Sequence, residues 1–345
     1  MRQVAPRLTL AVALAGLAAA PAMAESEPTL LPGKLTGAIA PYVVQKGDTV
    51  VAIAARHTVH PVRVYRPNAQ ALGQGLIYGR TIHVDQRRVT PTFAPGTSGV
   101  VLNVPEAHVY LVDKGRLVQD YPVAVSLKDW PVPIGKTRVV SKSKNPTWHV
   151  PKSIQQEMRE NGREVKTRVP PGPDNPLGSR WIGIWDGSFG LHGTIVPSSI
   201  KRYASHGCVR FLRPHIEDLY DRVKLGTPVT VAYQPALLAA EGAAIWLSAY
   251  PDHYERDYDY RASVTALARR AGVLSRLDWK AVEAVIRTRD GILVDVAVQP
   301  AATPTPAPTP TPTPKPTPTP SPAPIEGVPL PETTPEPEGL YGPPP

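Results

Sequence analysis

The chain has 345 residues, a formal charge of +9, 43 prolines and a single cysteine. One cysteine cannot pair within its own chain, so a fold stapled by internal disulfides is excluded. The basic balance points to polyanions or acidic substrates as partners.

The first stretch, residues 1–24, reads as a secretory signal peptide. Arg2 and Arg7 precede an apolar run from Leu8 to Ala20, and Ala22-Met23-Ala24 supplies a small-x-small cleavage site. No cysteine follows the run to take a lipid, and no later apolar stretch is long enough for a transmembrane segment. An exported protein is expected; the lack of a lipid anchor suggests a periplasmic setting, with a Gram-positive wall as the alternative. Without the leader and the acidic tail, residues 25–300 carry +10. For an exported chain that charge suits acidic cell-wall polymer better than nucleic acid.

Residues 41–86 read as a compact strand–helix–helix–strand unit. Tyr42-Val43-Val44 is a strand, and Gly47-Asp48-Thr49 is a turn with Asp48 as the expected N-cap. Val50 to Ala55 and Pro61 to Tyr65 have helical character, and Thr81 to Val84 returns as a strand. This stretch resembles the LysM family through Tyr42-Val43-Val44, Lys46-Gly47-Asp48-Thr49, Ile53-Ala54, Asn68, and Gly79 before Ile82 and Val84. The resemblance implies a small α/β module that binds the glycan of peptidoglycan, with Gly47, Asp48 and Thr49 at its glycan-binding turn.

Thr90 to Ser98 reads as a linker rich in Thr, Pro and Gly. Residues 99–234 then turn strongly β. Val101 to Val104, His108 to Val112 and Arg116 to Val125 are strand-like, with Asp113-Lys114-Gly115 as a hairpin turn. Arg180 to Trp185 and Phe189 to His192 form a second hairpin about Asp186-Gly187. A helix is expected from Pro214 to Lys224, ended by Gly226 and Pro228, and Pro228 to Tyr233 closes the unit as a strand. Residues 241–299 read as a small α/β region packed on the β domain, with a strand near Ala243 to Leu247, helices over Ser263 to Ala271 and Asp278 to Arg287, and a strand over Gly291 to Val298.

Residues 300–345 alternate proline with threonine and other small residues. Proline fixes φ and removes a donor, so neither helix nor sheet is expected. Such a disordered, polyproline-II tail reaches on the order of 100 Å at ~3.1 Å per residue.

The lone thiol stands in Ser205-His206-Gly207-Cys208-Val209-Arg210. An unpaired cysteine in an exported chain is either a reactive thiol or an inert buried one. A reactive thiol needs a partner to take its proton, and His192, His206 and His215 are the candidates. Gly193 and Gly207 flank the pair and leave room for a substrate backbone, and the amides of Gly207 and Cys208 are placed to meet an oxyanion. On an extended strand Arg210 shares a face with Cys208 and could hold a carboxylate. The spacing of His192, His206, Cys208 and His215 matches no familiar zinc pattern, so no metal or other cofactor is expected.

Leu191-His192-Gly193-Thr194 followed by Ser205-His206-Gly207-Cys208-Val209-Arg210-Phe211 resembles the L,D-transpeptidase family and its YkuD-type catalytic domain. Tyr121-Pro122-Val123, Pro133-Ile134-Gly135, Asn145-Pro146-Thr147-Trp148 and the run from Gly172 to Gly178 extend the likeness across residues 100–233. The resemblance implies a β-sandwich, so the whole chain is expected to be mainly β. It implies Cys208 as nucleophile, His192 as base oriented by the Gly193 carbonyl, and His206 with the Gly207 and Cys208 amides at the oxyanion. Arg210, Ser205, Thr194 and Trp148 are the implied substrate-binding residues. The implied reaction is acyl transfer from a peptidoglycan tetrapeptide stem, with loss of D-Ala, to an amine. That amine belongs to a second stem, a free D-amino acid or a lysine of an outer-membrane lipoprotein. Resolution of the same thioester by water, as an L,D-carboxypeptidase, is the alternative, and a purely wall-binding protein is a third reading. Carbapenems are expected to acylate Cys208.

Overall fold

The computed structural model describes residues 29–298. The expected signal peptide, residues 1–24, and the proline-rich tail, residues 300–345, lie outside the described residues. The chain is mainly β, and no helix among the described residues is long and apolar enough to cross a membrane.

The β domain owes its shape to strands that are apolar on both faces. Gly99–Asn103 and His108–Asp113 are buried almost throughout. Alternate residues go to different places, as the two-residue period of a strand requires. Val100, Leu102, Val109 and Leu111 face the central core of the domain. Val101, Tyr110 and Val112 face a second core beneath the N- and C-terminal segments. A strand buried on both sides has no reason to alternate polar with apolar residues.

Nine strands form one sheet, in the order Tyr203–Ser205, Arg116–Ser126, Val209–Phe211, Phe189–His192, Arg180–Ile184, Gly135–Lys144, Pro228–Ala232, Gly99–Asn103, His108–Asp113. The 11-residue strand Arg116–Ser126 also pairs with His108–Asp113 and so closes the sheet on itself. Its first half takes the register Asp113↔Arg116 to His108↔Pro122, while its second half pairs Phe211↔Val123 and Arg210↔Ala124. The expected sandwich is therefore one continuous sheet, its two layers sharing a strand long enough to serve both. The helix Arg213–Arg222, within two residues of the expected span, seals one side with Ile216 and Leu219.

A five-stranded sheet ties the two ends of the described chain together, in the order Val294–Asp295, Ala244–Ala249, Ala236–Glu241, Leu31–Thr36, Arg88–Thr92. This corrects two boundaries. The segment from Thr90 is not a free linker at its start: Arg88–Thr92 is a strand paired antiparallel with Leu31–Thr36. The C-terminal region does not begin at 241, which falls inside the hairpin of Ala236–Glu241 with Ala244–Ala249. Helices Tyr260–Arg270 and Trp279–Thr288, capped by the side chains of Asp259 and Asp278, pack Val264, Leu267, Val282 and Val285 on that hairpin. The strand expected over Gly291 to Val298 shrinks to Val294–Asp295.

The unit over residues 41–86 is an insertion between Leu31–Thr36 and Arg88–Thr92. Strands Ile39–Val43 and Thr81–Asp85 pair antiparallel, and helices Val50–Arg56, Val62–Tyr65 and Ala69–Leu72 lie between them. Its own core is Val44, Ile53, Ala54, Val64, Ile82 and Val84. Thr49, not Asp48, caps the first helix, accepting from the Ala52 amide at 3.0 Å.

One element has no counterpart in the sequence reading. Between Gly135–Lys144 and Arg180–Ile184 the chain makes a separate excursion, with the short strands Trp148–His149 and Arg168–Val169 paired and the helix Lys152–Glu160 above them. That helix buries only Ile154 and Met158, a pair four residues apart, which is too thin a stripe to reveal a helix by periodicity.

Candidate active site

Strand register brings the site together. Phe189–His192 and Val209–Phe211 run parallel, with Leu191 opposite Val209 and His192 opposite Arg210. Leu191 and Val209 are fully buried in the central core. Alternation then turns Gly190, His192 and Arg210 to the other face. Cys208, the residue just before Val209, takes a hydrogen bond from the Gly190 backbone and so lies beside the strand that carries His192, 16 positions away in sequence.

His192 is buried, and its Nδ1 lies 2.6 Å from the Gly193 carbonyl oxygen. A carbonyl only accepts, so Nδ1 carries the proton and Nε2 is left as the basic nitrogen. Burial, with the charge of Arg210 second, pushes the imidazole pKa down to about 3, against the opposing pull of the Gly193 and Pro176 carbonyls. The half-buried Cys208 thiol is pushed up to about 11 by burial, although a hydrogen bond from the Gly190 backbone and the charge of Arg210 both favour its thiolate. At neutral pH the free site therefore holds a neutral thiol and a neutral imidazole.

The loop that carries Cys208 is locked from both sides. Gly207 sits at φ +96°, a conformation that suits glycine, and the Ser205 hydroxyl donates to the Cys208 carbonyl across it. The two glycines do not leave open room for a substrate, as the sequence suggests. A side chain at Gly207 would meet the Phe189 ring at 3.2 Å, and one at Gly193 would meet the Gly178 backbone at 3.2 Å. Both positions are tight packing contacts.

The remaining expected residues fall into different settings. Arg210 is 9 % exposed and borders both His192 and Cys208 electrostatically. His206 turns its Nε2 to Glu157 of the helix Lys152–Glu160 at 2.9 Å, and its ring meets Trp130 edge-on. The Thr194 hydroxyl is occupied in its own turn, accepting from the Val196 amide at 3.0 Å. Trp148 packs with Val150, Ile154 and Met158 within the excursion. Asp48 accepts from the Tyr42 hydroxyl, the Gln45 amide and Arg56, so it braces its turn from within, while Gly47, at φ +80°, has open space where a side chain would be. His215, the third candidate partner, packs against Tyr121.

The structure adds residues the sequence did not single out. Trp181 pairs in register with His192 and stacks on it, centroids 6.0 Å apart and planes 21° from parallel. It lies over Gly190, where an added Cβ would come within 2.5 Å of the indole. Glu157 ties the excursion to His206. Asn175, 1 % exposed, donates to the Pro146, Val169 and Pro170 carbonyls and accepts from the Leu177 amide, closing the base of the excursion. The run Gly172 to Gly178 holds the signal for Asn175. Nothing in the sequence marks Glu157.

Comparison with known proteins bears on this arrangement. The YkuD family, described as the L,D-transpeptidase catalytic domain, matches residues 97–231. YqjB of Bacillus subtilis (strain 168), named as an L,D-transpeptidase, is 30% identical over 142 residues, covering 40% of this chain and 72% of its own. YcfS of Escherichia coli (strain K12), named likewise, is 27% identical over 290 residues, covering 81% of this chain and 90% of its own. Among solved structures, L,D-transpeptidase 3 from Mycobacterium tuberculosis shares 15% identity at a TM-score of 0.31, covering 59% of this chain and 95% of that one. The protein is an acyltransferase of the kind that works through a cysteine nucleophile. It belongs to the L,D-transpeptidase family.

Proposed function

We propose that the chain is an exported peptidoglycan L,D-transpeptidase in which Cys208 is the nucleophile and His192 its base. The observation that carries this is the pairing of His192 with Arg210 on neighbouring strands, with Cys208 hydrogen-bonded to Gly190 beside them and His192 held in the Nδ1–H form by Gly193. Cys208 attacks the carbonyl of the third residue of a tetrapeptide stem as its proton passes to Nε2 of His192. The amides of Gly207 and Cys208 receive the oxyanion. The imidazolium returns the proton to the departing D-Ala amine, leaving a thioester. An acceptor amine, from another stem or a lipoprotein lysine, then attacks the thioester and regenerates the thiol. Because the resting pair is neutral, proton transfer accompanies attack rather than preceding it. Arg210 stabilises the sulfur anion and holds a stem carboxylate. His206, bound to Glu157, carries the excursion over the site.

The inserted unit acts as the LysM module that keeps the enzyme on glycan. Tyr78 and Ile77, both exposed, stand beside the turn at Gly47, because the Gly79 amide donates to the Val44 carbonyl at 3.0 Å. An exposed tyrosine ring and an isoleucine side chain beside a turn suit the apolar face of a sugar. The signal peptide places the enzyme in the periplasm, and the tail is a spacer.

The test is mass spectrometry of disaccharide-tetrapeptide incubated with the protein and with Cys208→Ala. A cross-linked dimer that has lost D-Ala, absent with the variant, is expected. Tripeptide as the sole product would replace transfer by hydrolysis, and no acylated protein at all would remove the catalytic assignment of Cys208.

A further inference from the structure

A cavity of about 450 Å³ lies where the inserted unit, the β domain and the C-terminal helices meet. Neither His192, Cys208 nor Arg210 lines it. Its walls carry both signs of charge, but the two signs are not equally satisfied. The carboxylates are already engaged. Glu106 accepts from the Tyr110 hydroxyl and Asn103, Asp120 from Arg88 and His108, and Asp290 from Arg66 and the Ile292 amide.

Of the cations, Arg88 pairs with Asp120, whereas Arg63, Lys201 and Arg289 are hydrogen-bonded to neutral groups. Arg63, 7 % exposed, donates to the carbonyls of Arg87 and Gly291. Lys201 donates to the Glu106 carbonyl at 3.1 Å and lies 2.7 Å from Nδ1 of His108. Arg289 donates to the Ile286 carbonyl. Arg88 places one nitrogen on Asp120 while its Nη1 is buried with no partner among the described residues. Five cationic side chains line the cavity against three carboxylates; an excess of positive charge withdrawn from water is costly, and an anion entering the cavity would offset that cost. Guanidinium groups suit planar or tetrahedral oxyanions in particular.

We propose that this cavity is a binding site for a small oxyanion ligand, one bearing a carboxylate or a phosphate, gripped by Arg63, Arg88, Lys201 and Arg289. The site has a place in the fold that gives it consequence. Lys201 lies on the segment that joins His192 to Cys208, and the inserted unit's helix Val50–Arg56 packs against the turn Pro197–Ser199 of the same segment. A ligand there bridges the insertion to the β domain.

The experiment is calorimetric titration of the whole chain with citrate and, separately, with inorganic phosphate, against sodium chloride at matched ionic strength. Saturable binding of at least one probe is expected, with a rise in melting temperature that chloride does not reproduce. Preference for citrate would identify a carboxylate ligand and preference for phosphate a phosphoryl one. Lys201→Gln and the surface variant Arg289→Gln should each weaken binding at least several-fold while leaving the alkylation rate of Cys208 unchanged. Arg289→Gln guards against misfolding of the buried variant. No saturable binding of either probe up to about 10 mM, a range that would already include contacts of only a few kcal/mol, would overturn the proposal. So would equal binding by the parent and both variants.

Discussion

Gly190→Ala would test the geometry around His192. Gly190 lies in an extended strand, so a methyl group meets no backbone strain, and a strand alanine recovers a few tenths of a kcal/mol of chain entropy. The cost lies in Trp181. The added Cβ would stand 2.5, 2.6 and 2.7 Å from three atoms of the indole, about 1 Å inside ordinary contact. The indole has little freedom to retreat, because its Nε1 edge lies over Gly183 and its face stacks on His192. Overpacking of this kind costs about 1–3 kcal/mol. A shift of His192 by ~1 Å is expected to cost on the order of 100-fold in the acylation of Cys208. Urea denaturation measures the first quantity and the rate of carbapenem acylation the second. In a Trp181→Leu background the same Gly190→Ala change should cost less than about 0.5 kcal/mol, so the pair should show a coupling energy of about 1–2 kcal/mol. Equal costs in the two backgrounds would refute the argument that the indole transmits the change.

Three further outcomes follow from the geometry. With the Cys208 pKa pushed up to about 11 and that of His192 down to about 3, the rate of iodoacetamide alkylation should climb about tenfold per pH unit from pH 6 to 9; a plateau with an apparent pKa near 6 would instead mark a preformed thiolate–imidazolium pair. Asn175→Ala removes a side chain that makes four hydrogen bonds at a buried position and should destabilise by about 2–4 kcal/mol, with faster proteolytic cleavage between residues 145 and 178. Thr49→Ala removes the cap of Val50–Arg56 and should cost about 1 kcal/mol by thermal denaturation, leaving carbapenem acylation of Cys208 unchanged.

The sequence reveals most where chemistry and chain order coincide. Cys208 is legible because it is the only thiol, and its neighbours Ser205 to Arg210 fall on one turn and one strand. The helices at Arg213–Arg222, Tyr260–Arg270 and Trp279–Thr288 are legible because each carries apolar residues at helical spacing between stop signals. What is hidden depends on contacts distant in sequence. No local pattern reveals that Gly190 is empty to receive Trp181, or that Glu157 meets His206, since each needs the strand register first. The start of the linker is misread for a related reason. Arg88–Thr92 contains Pro91, which lowers its strand signal, and its pairing partner is Leu31–Thr36, some 55 residues earlier. Asp48 and Thr49 are both good caps, and only the three-dimensional turn, with Asp48 held by Tyr42 and Arg56, leaves the task to Thr49.

The manner in which the unit over residues 41–86 is inserted governs how this architecture can be rebuilt. The unit leaves the five-stranded sheet after Thr36 and returns at Arg88, and those two residues are register partners. Its entry and exit points are therefore adjacent, and a tight turn could replace everything between them while the paired strands stay joined. Leu31–Thr36 offers no such freedom, because it holds Arg88–Thr92 on one side and Ala236–Glu241 on the other. The inserted unit is thus a cartridge seated in a hairpin loop, exchangeable for another unit with closely spaced ends, whereas the short strand before it is a structural rivet.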